Sequence, residues 1–146
     1  MALNPSPISE SIKHLDFSKI DFLILNEIEG REISGEKSPN RIIDHLLSNY
    51  SNLMIVLTLD TNGVIYRDNV QEYKQEAYQV KVKDTTATGD TFLGYFLSMI
   101  SQNPDNKFAL TVASKAASLA VSRKGSLLLS RFWQRYAVNK LDIHDK

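Results

Sequence analysis

The feature that most constrains this fold is the apolar run Leu53–Leu59, the strongest strand signal in the chain. Short apolar runs of this kind are typical of buried strands. A second run, Asp21–Leu25, has the same character. Between the two lie a short helical segment, Glu27–Ile33, which Gly35 is expected to stop, and a helix that Pro39 opens and that continues to Leu47.

The chain then turns back before a second pair of helices. Asp60–Gly63 contains an Asn-Gly pair, which favours a hairpin, so Val64–Tyr66 is expected to run antiparallel to the preceding strand. Weaker strands are expected near Gln71–Tyr73 and Tyr78–Val82. The two helices that follow carry apolar stripes at helical spacing, namely Phe92, Phe96, Met99 and Ile100, then Val112, Ala116, Leu119 and Ala120. This order predicts an α/β fold with helices packed on a mostly parallel sheet.

Size and composition indicate one soluble domain. The chain has 146 residues, of which 42% are hydrophobic and 23% are charged. It has no cysteine, which excludes disulfides and thiolate metal sites. No apolar run approaches the roughly 18 residues that a membrane span needs, and the first residues show no signal-peptide pattern. We therefore expect a cytoplasmic protein without a membrane partner.

Charge is unevenly distributed although the net charge is zero. Positions 106–141 contain seven Lys or Arg and no Asp or Glu. Such a basic region could face the phosphates of a nucleotide, could bind RNA, or could be a solvated helix face. We expect no nucleic-acid partner, because the chemistry of another segment favours a nucleotide.

That segment is Asp84–Phe92, DTTATGDTF, which lies directly ahead of a helical pattern. The first backbone N–H groups of a helix lack partners and carry a positive dipole, so they attract phosphate. The small residues Ala87–Gly89 would let a phosphate approach closely, and Asp90 would be placed to take a proton from a substrate hydroxyl. The alternative is structural, since Asp and Thr also serve as ordinary helix caps.

The same segment resembles the signature of the ribokinase-like (PfkB) carbohydrate kinases. Four more segments resemble elements of that family, in the family's order: Asn4–Pro7, Leu25–Glu29, Ile55–Gly63 and Ala120–Ser126. Together they cover about residues 2–126. The resemblance implies a three-layer αβα, Rossmann-like architecture and an ATP-dependent sugar kinase that uses Mg²⁺.

The resemblance also implies roles for individual residues. Asp90 would be the general base for a sugar hydroxyl, and Ala87, Thr88 and Gly89 would form the anion hole for the γ-phosphate. The remaining implied roles are nucleotide binding by Asn26, Thr58 and Ser114, Mg²⁺ binding through water by Glu29, and a monovalent-cation site, possibly for K⁺, at Asp84.

Each of these residues has a structural alternative. Asn26 could simply end a strand, and Asp84 could form a turn with its own backbone. Glu29 could be a first-turn helix acid that complements the dipole. Thr58 could be an ordinary strand residue.

Two positions depart from the family pattern. Asp60 stands where the family usually has glycine, and its carboxylate would repel a polyphosphate unless a cation intervenes or the side chain points away. Leu129 falls where a serine usually lies near the potassium site, which puts dependence on that ion in question.

The first residues predict an incomplete fold. Ala2 and Leu3 precede Asn4–Pro7 with no room for a full first strand. Family members have a substantial half before this point, which holds the residues that read the sugar. We therefore expect residues 1–146 to form a single partial domain, the C-terminal, ATP-binding portion of a sugar kinase.

An incomplete fold has consequences for function. Uncovered apolar surface would favour self-association or a partner chain. The isolated chain would bind nucleotide weakly and turn over poorly or not at all, and sugar would bind only if the other half were supplied. The alternative is a non-catalytic kinase remnant that acts as an oligomerising or partner-binding module.

Overall fold

A computed structural model of the chain describes residues 1–5, 8–77 and 88–120. Contacts group the chain into two compact units, Met1–Ala77 and Tyr78–Lys146. The predicted strand Tyr78–Val82 and the sequence positions Asp84 and Ala87 lie outside the described residues.

The first unit contains a five-stranded sheet in the order β1-β2-β3-β4-β5. The strands are β1 (Ala2–Leu3), β2 (Phe22–Asn26), β3 (Met54–Thr58), β4 (Val64–Arg67) and β5 (Glu72–Gln75). The β1–β2 and β2–β3 pairs are parallel, and the β3–β4 and β4–β5 pairs are antiparallel. Four of the five strands therefore share one direction, and the mostly parallel α/β sheet predicted from the sequence is confirmed.

Two helices connect β2 to β3. Helix α1 (Glu27–Ser34) ends at Gly35, which adopts φ +75° as a left-handed cap, and this is a conformation that glycine accepts without a Cβ clash. Helix α2 (Pro39–Asn49) begins with Pro39 in its first turn, where a missing N–H costs nothing. Short 3₁₀ turns at Glu10–His14 and Phe17–Lys19 were not predicted, whereas the one at Asp60–Asn62 lies within the predicted turn Asp60–Gly63.

The core of this unit lies between one face of the sheet and the helices. Alternate strand residues point to the same face because successive side chains in a strand point to opposite sides. The buried residues of this layer include Leu23, Leu25, Ile55, Leu57 and Ile65 from strands and Ile42, Ile43 and Leu46 from α2. Gly30 of α1 brings this helix close, since a Cβ there would lie 2.9 Å from Ile42 Cγ2.

The connection between β3 and β4 is a hairpin, as predicted, but its geometry differs from that of a simple Asn-Gly turn. The positive φ values belong to Asp60, at 51°, and Gly63, at 94°, and not to Asn62. Leu59 N–H donates to the Gly63 carbonyl at 2.8 Å and closes the turn. The backbone immediately after β3 is therefore tightly folded.

The described part of the second unit is a pair of packed helices, α3 (Thr88–Gln102) and α4 (Asn106–Ala120). Three of the four predicted stripe residues of α3 are buried, namely Phe92, Phe96 and Met99, and the rings of Phe92 and Phe96 stack at 6.0 Å. Ala109, Ala113 and Ala116 are buried on α4, as expected where small residues allow close helix packing. No helix among the described residues is long and apolar enough to cross a bilayer.

Candidate functional site

Polar residues meet at the carboxyl ends of the two central parallel strands. Asn26 is the last residue of β2 and is in register with Thr58, the last residue of β3. Ligands of open α/β sheets bind at this edge. The Thr58 hydroxyl donates to the Leu25 carbonyl at 3.4 Å, which is a weak bond. The single O–H of Thr58 is therefore held only weakly by Leu25, and the hydroxyl oxygen remains able to accept.

Asn26 and Glu29 form a capping box at the start of α1. The Asn26 Oδ1 atom accepts from the Glu29 N–H at 2.9 Å, and the Glu29 Oε2 atom accepts from the Asn26 N–H at 2.8 Å. The structural alternatives for both residues are thus partly correct, because both serve the helix N-terminus. Glu29 is only 6% exposed, which is unusual for a carboxylate with no cationic partner named in the described contacts.

A hollow of about 230 Å³ opens beside this capping box. Its lining consists of Ile8, Asn26, Ile28, Glu29 and Glu32. The charged side chains in this lining are both carboxylates, so a bare phosphate would be repelled and a cation–phosphate complex would be accepted. The second carboxylate oxygen of Glu29 has the hard-oxygen chemistry that Mg²⁺ prefers.

The protein alone does not form a complete metal cage in the described ranges 1–5, 8–77 and 88–120. No group of three or more His, Asp or Glu residues there is placed to hold an ion. Mg²⁺ usually keeps several waters and takes one or two carboxylates together with substrate phosphates. Glu29 fits that pattern, and the predicted potassium ligand Asp84 lies outside the described residues.

A larger cavity of about 700 Å³ lies nearby in the same unit. The sequence patterns did not indicate it. Its apolar lining includes Phe17, Ile33 and Leu46, and it shares Ile8 and Glu32 with the smaller hollow. The two depressions are therefore neighbours.

Asp60 lies two residues beyond Thr58, at the same carboxyl edge. It is the only non-glycine residue with positive φ in the described part of the chain, and it is exposed. The left-handed conformation explains why glycine suits this position, because an L side chain there is strained. Asp60 therefore adds a third carboxylate, after Glu29 and Glu32, to the residues that follow β2 and β3.

In the second unit, helix α3 begins at Thr88, three residues before Thr91, where the sequence pattern predicts its start. Thr88, Gly89 and Asp90 are its first three residues rather than a preceding loop. Their backbone N–H groups belong to the helix's first turn, which has no intrahelical acceptors. Anion binding by Thr88 and Gly89 is compatible with this placement and stays a prediction. Ala87 lies just outside the described residues.

Ser114 of α4 has an unusual hydroxyl. Its Oγ atom is buried and has no hydrogen-bond partner within the described segments. In contrast, the hydroxyls of Thr111 and Ser118 on the same helix donate to the carbonyls of Lys107 and Lys115, at 3.0 and 2.7 Å. A buried polar atom without a partner costs free energy, which is a reason to expect a ligand there.

Polar residues at the carboxyl edge of a mostly parallel sheet define an open α/β protein, a class in which ligands bind at that edge. Comparison with known families makes this class specific. The pfkB family of carbohydrate kinases matches residues 1–131, so the chain belongs to that family.

Individual relatives agree with this assignment. A ribokinase of Staphylococcus aureus (strain COL) is 34% identical over 129 residues, which is 85% of this chain and 42% of the relative. The chain therefore spans less than half the length of this curated relative.

Solved structures show the same fold at lower identity. Ribokinase of Cryptococcus neoformans in complex with ADP has a TM-score of 0.76 and 24% identity, covering 90% of this chain and 49% of that one. A ribokinase II structure from E. coli in complex with ATP and Mg²⁺ has a TM-score of 0.68 and 24% identity, covering 82% and 41%.

Proposed function

We propose that this chain supplies the nucleotide-binding and catalytic-base portion of an ATP-dependent carbohydrate kinase. The reaction is transfer of the ATP γ-phosphate to a sugar hydroxyl. The observation that carries this proposal is the arrangement of Asn26, Glu29 and Thr58 at adjacent carboxyl ends of β2 and β3. It fits phosphate and cation chemistry, and the family supplies the reaction.

In this proposal the first unit binds the nucleotide phosphates. Asn26 offers its side-chain NH₂ group to phosphate oxygens, Thr58 offers its hydroxyl by giving up the weak bond to the Leu25 carbonyl, and Glu29 holds Mg²⁺ through water. The cation neutralises charge on the phosphates when bound. The acidic hollow supports this assignment, because its two carboxylates disfavour a phosphate that arrives without a cation.

The second unit supplies the groups for phosphoryl transfer. Ala87, Thr88 and Gly89 form the anion hole, since backbone donors at a helix N-terminus stabilise the charge on the transferring group. Asp90 removes the proton from the attacking hydroxyl. Ser114 contacts the nucleotide, a role that its unpartnered hydroxyl supports. A monovalent cation, K⁺ if one is used, would bind at Asp84.

We further propose that the polypeptide as given binds nucleotide weakly and turns over poorly. The relatives are more than twice as long as the part they share with this chain. We expect their sugar-binding residues to lie outside that shared part. Self-association or a partner chain would complete the sugar site. The proposed architecture is one partial three-layer αβα domain in a cytoplasmic protein.

A second proposal, a non-catalytic module that oligomerises or binds a partner, draws support from Asp60. A carboxylate at the phosphate edge is unfavourable for nucleotide binding.

One experiment separates the two proposals. Sugar-dependent release of ADP is measured with a panel of pentoses and hexoses, for the wild type and for Asp90→Asn. Kinase chemistry predicts a signal, however slow, that Asp90→Asn abolishes. ADP release of equal size in the wild type and in Asp90→Asn would contradict a catalytic role. A wild type that neither releases ADP nor binds nucleotide would contradict it as well.

A further inference from the structure

We propose that the cavity of about 700 Å³ in the first unit binds a small organic cation, in which a protonated amine or a guanidinium group is attached to a flat apolar body. The apolar body lies against an aromatic floor, and the cation meets carboxylates at the rim. Asn26, Glu29 and Thr58, to which the nucleotide phosphates are assigned above, are not among the described residues that line this cavity. The inference therefore goes beyond the proposed function.

Four elements of the first unit enclose the cavity. The two 3₁₀ turns before β2 contribute Ile12 and Phe17, and helices α1 and α2 contribute Ile33 and Leu46. Pockets that bind small molecules usually measure about 300–1,000 Å³. A cavity of about 700 Å³ therefore has room for an organic molecule of ordinary ligand size.

The floor of the cavity is apolar and is fixed by the core. Ile12, Phe17 and Leu46 are buried and belong to the hydrophobic cluster of the first unit. The rings of Phe17 and Tyr50 lie 5.1 Å apart with an angle of 38° between their planes. The face of an aromatic ring attracts both flat rings and cations, because it carries negative charge. The floor therefore suits a ligand with a flat apolar body and a positive charge.

The rim of the cavity is negatively charged. Glu10 and Glu32 both line it, and its described lining contains no Lys or Arg. Glu10 already interacts with another group. Glu32 has no hydrogen bond or ion pair with any residue of the described ranges 1–5, 8–77 and 88–120. Glu32 is therefore the carboxylate that is available to the charge of a ligand.

The other polar side chains of the lining can accept hydrogen bonds. The Asn49 side chain lies 2.8 Å from the His45 carbonyl oxygen. A carbonyl can only accept, so the atom in contact is the amide nitrogen, and the amide oxygen of Asn49 remains able to accept. The hydroxyls of Ser9 and Tyr50 can accept as well as donate. A ligand rich in N–H donors would thus find acceptors here, whereas an anion would meet two carboxylates.

The first test compares three ligands that share an indole body. Tryptamine carries an ammonium group, tryptophol a hydroxyl and indole-3-propionate a carboxylate. Each is titrated into the ¹⁵N-labelled full chain without nucleotide or metal, at pH 8, where histidine side chains are ordinarily neutral. Binding is followed by the NMR shifts of backbone amides. We expect tryptamine to bind most tightly and indole-3-propionate most weakly, with shifts concentrated in the elements that enclose the cavity.

Two outcomes of this test would overturn the proposal. One is equal affinity for the three ligands, which would show that the cavity does not select a cation. The other is the absence of a saturable shift with tryptamine at millimolar concentration.

The second test removes the charge of Glu32 and keeps the size of its side chain. In Glu32→Gln the affinity for tryptamine should fall about two- to fivefold, the effect of one exposed ion pair. The affinity for tryptophol should not change. Because Glu32 is exposed, this variant should fold as the wild type does.

Glu27→Gln is the matched control for this test. Glu27 lies on the same helix but lines neither depression, and it pairs with Arg31 at 3.5 Å. Its replacement should leave the affinity for tryptamine unchanged. An equal loss in Glu27→Gln and Glu32→Gln would show that the cation is not held at the cavity.

Tyr50→Leu tests the aromatic floor. The substitution removes one ring of the pair and keeps an apolar side chain at a partly buried position. The affinities for tryptamine and for tryptophol should both fall about two- to tenfold, since both ligands share the indole body. Unchanged affinities would refute binding against this floor.

These tests are independent of nucleotide binding. A chain that binds tryptamine with the expected dependence on Glu32, but that binds no MgATP, would retain this site and refute the proposed function. A chain that binds MgATP but does not distinguish tryptamine from tryptophol would refute this site and retain the proposed function.

Discussion

Gly63 closes the turn that follows β3, and its replacement by alanine should destabilise the chain strongly. Gly63 has φ +94° and ψ −138°, a region that only glycine adopts readily. A Cβ at this position would lie 2.9 Å from the backbone nitrogen of Ala77 and even closer to the Gln75 carbonyl oxygen. Both neighbours are backbone atoms at the end of β5, so they cannot move aside as a flexible side chain would.

The expected magnitude combines two costs. The unfavourable backbone conformation costs about 1–3 kcal/mol. Displacement of the β5 backbone adds about 1–3 kcal/mol, as overpacking of a tight site usually does. Together they make about 2–6 kcal/mol, a large part of the stability of an ordinary domain.

Gly35→Ala is the matched control for this prediction. Gly35 also has positive φ, at +75°, but a Cβ there would meet no atom within 4 Å. Its replacement should cost only about 1 kcal/mol, from the left-handed conformation alone. The free energy of unfolding of both variants is measured by urea denaturation followed by circular dichroism. Equal losses in the two variants would refute the claim that close backbone approach determines the cost at Gly63.

Three further predictions concern single side chains. Partial burial alone raises the pKa of Asp68, but bonds from the Tyr66 hydroxyl and from two backbone N–H groups outweigh it and lower that pKa below 3.8. Asp68 should therefore stabilise the fold above about pH 4 and lose this effect as pH falls through the lowered pKa. Asp68→Asn should flatten that part of the stability–pH curve, and an unchanged curve would contradict the assignment.

Ser114→Ala should change the free energy of unfolding by less than about 0.5 kcal/mol or raise it, because the hydroxyl has no partner among the described residues. The same variant should weaken MgADP binding in a calorimetric titration, and unaltered affinity would exclude a nucleotide contact. Asp60→Gly should raise the affinity for metal-free ATP more than that for MgATP, because it removes a carboxylate from the phosphate edge. An equal change in affinity for metal-free ATP and for MgATP would show that the Asp60 carboxylate does not interact with the phosphates.

Much of the first unit was predictable because its signals are local. Apolar runs specified β2 and β3, and Gly35 and Pro39 marked helix boundaries for stereochemical reasons. The antiparallel return of β4 followed from a recognisable turn. These features depend on a few neighbouring residues, so the sequence alone carries them.

Other features depended on context that short patterns do not show. The Asn-Gly pair predicted the hairpin, but nothing in that pair indicated that Asp60 would adopt positive φ. Helix α3 starts at Thr88 although threonine and glycine are weak helix formers, so the boundary was predicted too late. The burial of Glu29 arises from packing that no local pattern reveals.

One signal at the site was present but was interpreted residue by residue. Asn26 followed three positions later by Glu29 resembles a capping-box sequence. Taken one at a time, Asn26 is compatible with a strand end and Glu29 with a helix acid. The structure shows that they form one reciprocal unit. The unpartnered hydroxyl of Ser114 could not be predicted, because burial of one atom depends on the packing of α4.

The most direct test of the central claim is a calorimetric titration of MgATP into the purified chain and into the variants Asp90→Asn and Ala87→Asp. The proposed function predicts that the wild type binds MgATP. Binding should survive Asp90→Asn, which removes the base but not the anion hole, and should be lost in Ala87→Asp, which places a negative charge where the γ-phosphate would lie. Absence of binding at millimolar nucleotide, or unchanged binding in Ala87→Asp, would contradict a phosphate site at the start of α3.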